Sequence, residues 1–575
     1  MNQLRSKESE TINFNNIRGE YPRPYLKRES FFNLNGVWDY AISTAPHANV
    51  AMTGKILVPF PIESLLSGVM KPLKKHEYLI YRRTFTLPEG FVKDITLLHF
   101  EAVDYECFVY LNHRKIFFHK GGYLPFAFDI SNRLAEGENE LVVVVKDDTE
   151  NDGAATGKQK SNRGGMWYTP CSGIWQSVWI ESVNQLFIED VKITPNIDSK
   201  TVSFEIKTAD PHGEITVRDG EEIIAQMKFV SSHVELAISS PKHWTPEHPH
   251  LYDVEIKTPT DTITSYFAMR KVGIGQSAYG PCLTLNDKPY FMNGVLDQGY
   301  YSDGNYTASS EEAIINDILT MKRLGFNTLR KHIKVEDRRF YYQCDRLGML
   351  VWQDMPCGGK YSFMNMTIRP TLGLTNFSDS AYSVFGRQKE TNRKDFIDET
   401  WSTIKLLGHY PCIVMWVIFN EGWGQFDAKE IAAAVKKEDP SRLVDHASGW
   451  FDQGGGDVAS IHTYFRKLKF LPDELKRPVI CSEFGGYSHQ VKDHIFNPDK
   501  EFGYRKFPAQ KDFENAVIRL YEEEVIPSIK TGLCAAIYTQ LSDVEDETNG
   551  FITYDRKVLK VDERRLHTVM EKVKF

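Results

Sequence analysis

Apolar positions recur in short bursts through the first half of the chain, and the rhythm changes after Pro289. Between 21 and about 183, the runs 78–87 (YLIYRRTFTL), 95–100, 107–111 and 140–145 alternate or carry β-branched and aromatic residues. Turn residues separate them at the spacing of a β-sandwich. From 184 to about 273 come further short runs, at 187–193, 202–207, 214–217, 222–229 and 252–257. Their rhythm predicts an immunoglobulin-like sandwich. The stretch 148–165 (DTENDGAATGKQKSNRGG) is polar and Gly-rich and reads as a mobile loop.

Beyond Pro289 the period becomes 3.6. Ser309-x-x-Glu312 has the form of a capping box, opening a helix that carries Ile314, Ile315, Ile318, Leu319 and Leu324 and closes at Gly325. Helices are also predicted over 336–347, 394–408, 427–437 and 511–526. Between them lie apolar, non-alternating runs at 290–294, 326–330, 349–354, 412–419, 442–445, 458–462, 479–482 and 533–538. Unalternating strands that take turns with helices make a parallel sheet covered by helices, and eight of them suggest a (β/α)8 barrel. A doubly wound sheet would want a Gly-rich phosphate loop, and the chain has none.

Composition narrows the partners. Net charge is -8 with a pI near 6.1, which leaves no electrostatic footprint for nucleic acid. No apolar stretch approaches the ~20 residues that a membrane span needs. The 8 cysteines form no CxxC pair and no metal-ligand spacing. The opening MNQLRSKESETINFNN lacks an apolar signal core, so a soluble cytoplasmic protein is expected.

The candidate chemistry lies where two apolar runs stop. The run 412–419 ends abruptly in Asn420 and Glu421. The run 479–482 ends in Glu483, with Gly485 and Gly486 just beyond. As barrel strands four and seven, these place two carboxylates on the C-terminal rim, where barrel chemistry sits. A single glutamate after a strand is more often a cap or ion-pair partner. Two at matching positions, facing one another across the axis, are what glycosidic bond cleavage requires.

Nearly the whole chain resembles glycoside hydrolase family 2, the family of β-galactosidases, β-glucuronidases and β-mannosidases. FFNLNGVWDY (31–40), YRRTFTLP (81–88), FEAVDYECFVYLN (100–112) and GIWQSVWIE (173–181) are similar to its sugar-binding jelly roll. HWTPEHPHLYDVEI (243–256) is similar to the close of its immunoglobulin-like domain. GHYPCIVMWVIFNE (408–421) and SEFGG (482–486) resemble its two catalytic motifs, the most specific of these matches. The resemblance implies a multidomain fold: a jelly-roll sandwich at 1–183, an immunoglobulin-like sandwich at 184–283 and a catalytic (β/α)8 barrel at 284–575. It implies a retaining exo-β-glycosidase, with Glu421 as acid/base, Glu483 as nucleophile and Asn420 on the sugar 2-hydroxyl. Tyr464 matches a tyrosine that bonds the nucleophile. Arg330 matches an arginine of strand two, suited to bidentate contact with a carboxylate. His462 reads equally as a ligand contact or a satisfied core histidine, and His409 as structural. Homo-oligomers are common in the family.

Departures bear on the sugar. Strand one ends in VLDQGYY (295–301), strand two in RKHIKVE (330–336), strand three in LVWQDMP (350–356), and Tyr538 stands where the family usually has Trp. Asp297, Gln298, Asp354 and Tyr538 become candidate pocket residues. The Asn-x-Lys pair that holds a glucuronide carboxylate is missing near 547–549, which disfavours a β-glucuronidase. The family's magnesium ligands are missing from DMPCGG (354–359), so no metal or other cofactor is expected. A β-galactosidase-like enzyme is the leading expectation and a β-mannosidase the next. A non-catalytic carbohydrate-binding protein of the same fold is the rival class.

Overall fold

The computed structural model of the chain describes residues 2–150, 153–375 and 377–575. The N-terminal domain stacks a six-stranded sheet on a four-stranded one. The larger runs in the spatial order Gly54–Val58, Gly36–Ser43, Tyr78–Thr86, Glu138–Lys146, Glu106–Leu111, Arg114–Lys120. The smaller pairs Val178–Val183 with Phe32–Asn33 and Ile95–Phe100. Alternation works as the sequence implies: Cys107, Val109 and Leu111 point inward with Leu141, Val143 and Val145. The second domain packs a three-stranded sheet (Ile188–Asn196, Thr201–Thr208, His233–Ala237) on a four-stranded one that includes Gly213–Asp219 and Tyr252–Lys257.

A small antiparallel sheet, Val272–Ser277, Gly280–Leu285 and Lys288–Pro289, leads into the barrel. The expected boundary at 283/284 falls inside it. Cys282 and Leu283 share one apolar cluster with Leu296, Trp352, Met415 and Ile537, so this sheet plugs the N-terminal end of the barrel.

The barrel strands are β1 (Met292–Asp297), β2 (Thr328–Lys331), β3 (Leu350–Asp354), β4 (Ile413–Val417), β5 (Leu443–Asp445), β6 (Ala459–Thr463), β7 (Val479–Gly485) and β8 (Leu533–Thr539). They pair in parallel in the order β5-β4-β3-β2-β1-β8-β7-β6. One seam, between β5 and β6, carries no ladder. It is bridged instead by Asp457, whose amide donates to the Val444 carbonyl at 2.8 Å and whose carboxylate accepts from the Val444 amide at 2.9 Å. Every residue of β1, β2, β3, β4, β7 and β8 is buried, which is why these runs show no alternation.

Two local expectations shift. The first barrel helix, Glu311–Arg323, is capped by Ser310, whose hydroxyl accepts from the Ala313 amide at 3.3 Å, rather than by Ser309. Ser309-x-x-Glu312 has the box spacing, but three residues after Ser310 stands Ala313, so the observed cap is a single side-chain bond without the reciprocal glutamate. The predicted helix 511–526 is Gln510–Leu520 followed by a wider π turn, Tyr521–Val525.

The larger correction concerns the stretch expected to be a mobile loop. Asn151 and Asp152 lie outside the described residues, but 153–165 lies pinned between the first domain and the barrel. Ala155 bridges Gly358, and the Thr156 amide donates to the Cys357 carbonyl at 2.9 Å. Gln159, 3% exposed, donates to Asp104 and accepts from the Cys171 amide at 2.7 Å. Arg163 reaches Glu545 and Asp546 at 2.9 and 3.1 Å. Polar residues here satisfy one another across an interface, so polarity did not signal exposure. The 8 cysteines are buried and free. Among the described residues no helix is long and apolar enough to cross a membrane.

Candidate active site

The two motif glutamates meet at the C-terminal mouth of the barrel. β4 is fully buried, and its chain continues through buried Ile418, Phe419 and Asn420 before Glu421 turns out. Glu421 has φ of 53°, a left-handed conformation that side chains other than glycine adopt at a cost. Its amide donates to the Ser448 carbonyl at 3.0 Å, and the Asn420 carbonyl accepts from Trp423 at 2.9 Å. Glu483 lies inside β7, level with His462 on neighbouring β6. Gly485 and Gly486 follow with φ of 82° and 64°. A Cβ at Gly485 would stand 2.3 Å from the Tyr538 ring, and one at Gly486 2.3 Å from the Tyr504 ring. Only glycine lets those rings close behind Glu483.

Glu421, His462 and Glu483 bring one ligand atom each within 4.8 Å of one another. His462 stands between the glutamates, with Nδ1 2.9 Å from Glu421 Oε1 and Nε2 3.7 Å from Glu483 Oε1. That grouping is compact enough to surround a metal ion. However, His462 Nε2 is also 3.0 Å from Ser448 Oγ, and Glu483 is held by two other donors, so a cation would have to displace existing bonds.

Those donors are Arg330 and Tyr464. Arg330, on β2 and 0% exposed, forks onto Asp354 through Nε and Nη2 at 2.9 and 3.0 Å. Its Nη1 donates to Glu483 Oε1 at 3.0 Å and its Nη2 to Asn420 Oδ1 at 2.8 Å. The Tyr464 hydroxyl donates to Glu483 Oε2, and its ring lies flat on Tyr504 with centroids 3.7 Å apart. Burial alone would raise the Glu483 pKa. His462, Arg330 and Lys158 outweigh it and bring the carboxyl down to about 2. Burial disfavours charge on Arg330 as well, but Asp354 and Glu483 hold it protonated.

The remaining candidates divide. Asp354 binds Arg330 and also His332, whose Nδ1 lies 2.7 Å from Asp354 Oδ2. Asp297 pairs with Lys331 at 2.7 Å, and Gln298 donates to Gln540 Oε1 at 2.8 Å. The Tyr538 hydroxyl accepts from the Tyr487 amide at 3.2 Å. Among the described residues, no hydrogen bond joins Asp297, Gln298 or Tyr538 to the glutamate pair. His409 stacks on Tyr25 at 4.3 Å, away from the site.

The structure adds residues that the sequence reading did not select. His332 is 2% exposed, and its Nε2 has no hydrogen-bond partner. Burial first, then the charge of Lys158, pushes its pKa well down, so the ring is neutral. Trp167, from the first domain, meets Trp423 edge-on at 5.2 Å and Tyr361 at 4.9 Å, forming an aromatic wall. Trp423 is tied back by its indole N–H to the Gly359 carbonyl at 3.1 Å, and Gln425 is a latch donating to Phe451 O and Asp379. A Trp in a Gly-x-Gly turn was visible in the sequence, but its partners come from distant segments.

Family models for glycosyl hydrolases family 2 match three parts of the chain: the sugar binding domain over residues 58–183, a further family 2 domain over 186–270 and the TIM barrel domain over 280–556. The chain belongs to glycosyl hydrolase family 2. A β-galactosidase of Photobacterium profundum is 24% identical over 546 residues, covering 83% of this chain and 49% of that protein. A putative β-glucuronidase of Formosa agariphila is 24% identical over 535 residues, covering 83% and 59%. The chain thus spans about half the length of the curated β-galactosidases it matches. Among solved structures, a β-glucuronidase of an uncultured Clostridium sp. superposes with a TM-score of 0.75 at 17% identity, over 95% of this chain and 99% of that one. A β-galacturonidase from Eisenbergiella tayi gives 0.69 at 17% identity, over 97% and 99%. At that identity the likeness is one of fold, and it extends the three-domain family 2 architecture along the chain.

Proposed function

We propose that the protein is a retaining exo-β-glycosidase in which Glu483 is the nucleophile and Glu421 the acid/base. The observation that carries this reading is the separation of the two glutamates, whose nearest oxygens lie within 4.8 Å. Retaining enzymes hold their carboxyls about 5–5.5 Å apart, whereas inverting enzymes leave about 6.5–9.5 Å for a water. Glu483, held ionised, attacks the anomeric carbon while Glu421 gives its proton to the departing glycosidic oxygen. A glycosyl ester on Glu483 results. Water then attacks the same carbon from the vacated face, passes its proton to Glu421 and releases Glu483.

The neighbours suit these roles. Arg330 occupies the amide oxygen of Asn420, so the NH₂ end faces the site and is free to donate to the sugar 2-hydroxyl. Tyr464 and Arg330 each hold one oxygen of Glu483, which orients the carboxylate for attack. The pinned 153–168 segment walls one side of the mouth, which favours a pocket for a terminal sugar over an open groove. A β-galactoside is the first candidate substrate, supported by the names of relatives matched over 83% of the chain.

Substitution of Glu483 by Ala tests the assignment. An activated aryl β-glycoside should turn over with azide and yield the α-configured glycosyl azide, while turnover without azide is lost. Wild-type rates in E483A would sink the assignment.

A further inference from the structure

Lys158 arrives at the mouth from a different domain, on a segment fixed on both sides. Its predecessor Gly157 has φ of 61°, and a Cβ there would lie 2.6 Å from the Tyr306 hydroxyl, 2.7 Å from that of Tyr123 and 3.1 Å from the Ile333 carbonyl. Ile333 follows His332 directly. The Lys158 carbonyl accepts from the Tyr168 amide at 2.9 Å. Gln159, bridged to Tyr168, turns onto Asp104. Next to it the Lys160 ammonium sits 4.0 Å from the Trp167 ring centroid in the aromatic wall. The charge of Lys158 is felt at both Glu483 and His332.

Arg330 is spent on Asp354 and Glu483, Lys331 on Asp297 and Glu336, Lys334 on Glu336 and Arg163 on Glu545 and Asp546, while Lys160 lies over the Trp167 ring. Lys158 is half-buried and has no carboxylate within ion-pair distance among the described residues. Beside it, the neutral His332 offers an unused nitrogen. With Nδ1–H directed at Asp354, that nitrogen is an acceptor and suits a hydroxyl. The subsite therefore combines a free cation with a hydroxyl acceptor.

We propose that Lys158 reads an anionic substituent, a carboxylate or a sulfate, on the sugar held above Glu483. The chain lacks the Asn-x-Lys pair near 547–549, and Lys158 offers a cation from the first-domain segment whose Tyr168 hydroxyl donates to Glu547.

The inference rests on the glycosidase reading of the same site, so binding and turnover are measured separately. Binding is titrated calorimetrically with a basic iminosugar bearing a carboxylate, with one bearing a sulfate and with their neutral parent, in wild type, K158M and K158R. Turnover is compared between nitrophenyl β-galactoside and the β-galacturonide, β-glucuronide and 6-sulfated β-galactoside. Wild type should favour an acidic form over its neutral counterpart by ~10-fold or more, and K158M should cut that ratio by ~10- to 100-fold, the size of a charge-assisted contact. K158R should keep most of it, and the favoured arm separates carboxylate from sulfate. No acidic preference in wild type, or a preference that survives K158M, overturns the proposal. Failure to hydrolyse every glycoside, with Lys158-dependent binding intact, would instead sink the glycosidase reading alone.

Discussion

Tyr464→Phe isolates the hold on the nucleophile. The ring is anchored by Tyr504 at 3.7 Å, so Phe keeps its place and only the hydroxyl is lost. That hydroxyl donates to Glu483 Oε2, leaving Arg330 Nη1, at 3.0 Å, as the other donor to the carboxylate. A hydrogen bond to a charged group contributes about 1.5–3 kcal/mol. If that is spent on keeping Glu483 aligned and ionised, kcat/KM falls roughly 10- to 150-fold. The sign with pH follows. Glu483 attacks as the anion, and its carboxyl is held down at about 2. Loss of a donor to the charged form raises that value, so the acid limb of kcat/KM moves to higher pH. Rates on an aryl β-glycoside from pH 3 to 8 test both parts. Wild-type kcat/KM with an unmoved acid limb in Y464F would refute the argument.

Arg330→Met should destabilise the fold by about 3–5 kcal/mol in urea unfolding, because Asp354 and Glu483 stay buried without their cation. Glu483 also makes stability depend on pH: with its pKa lowered from 4.5 to about 2, its share is present above about 4.5 and lost as pH falls toward 2. Wild type should therefore lose stability more steeply than E483Q between those values. Gly157→Val puts a side chain against Tyr306 and Tyr123 at a positive φ, so it should shift the 153–165 segment and raise KM while the melting temperature drops only a few degrees.

The barrel and its carboxylates were legible because they obey local rules. A strand buried on both faces shows an unbroken apolar run, and a carboxylate at its end marks the rim, as at Phe419–Asn420–Glu421. Arg330 was legible as a carboxylate holder through the resemblance, but not its forked bond to Asp354, since β2 and β3 meet only in the folded barrel. Asp297, Gln298 and Tyr538 stood at strand ends like the glutamates, yet their polar atoms are bonded to Lys331, Gln540 and Tyr487. Position on the rim does not tell which way a side chain spends its charge.

Lys158 and Trp167 were illegible for the opposite reason. Lys158 lies in the polar, Gly-rich stretch 148–165 of another domain and Trp167 just beyond it, and only the three-dimensional packing carries them to the barrel mouth. His332 stands in RKHIKVE, a stretch legible only as a departure from the family pattern. Its neutral, half-satisfied ring follows from burial beside Asp354 and the charge of Lys158.

Trapping the intermediate tests the two-carboxylate account most directly. A 2-deoxy-2-fluoro β-glycoside with a good leaving group should inactivate the enzyme with release of one equivalent of aglycone. Peptide mass spectrometry should then place the added sugar on Glu483, in the segment SEFGG. A label on any other residue, or turnover that yields the α-anomer first and traps nothing, would contradict the assignment of Glu483 as nucleophile.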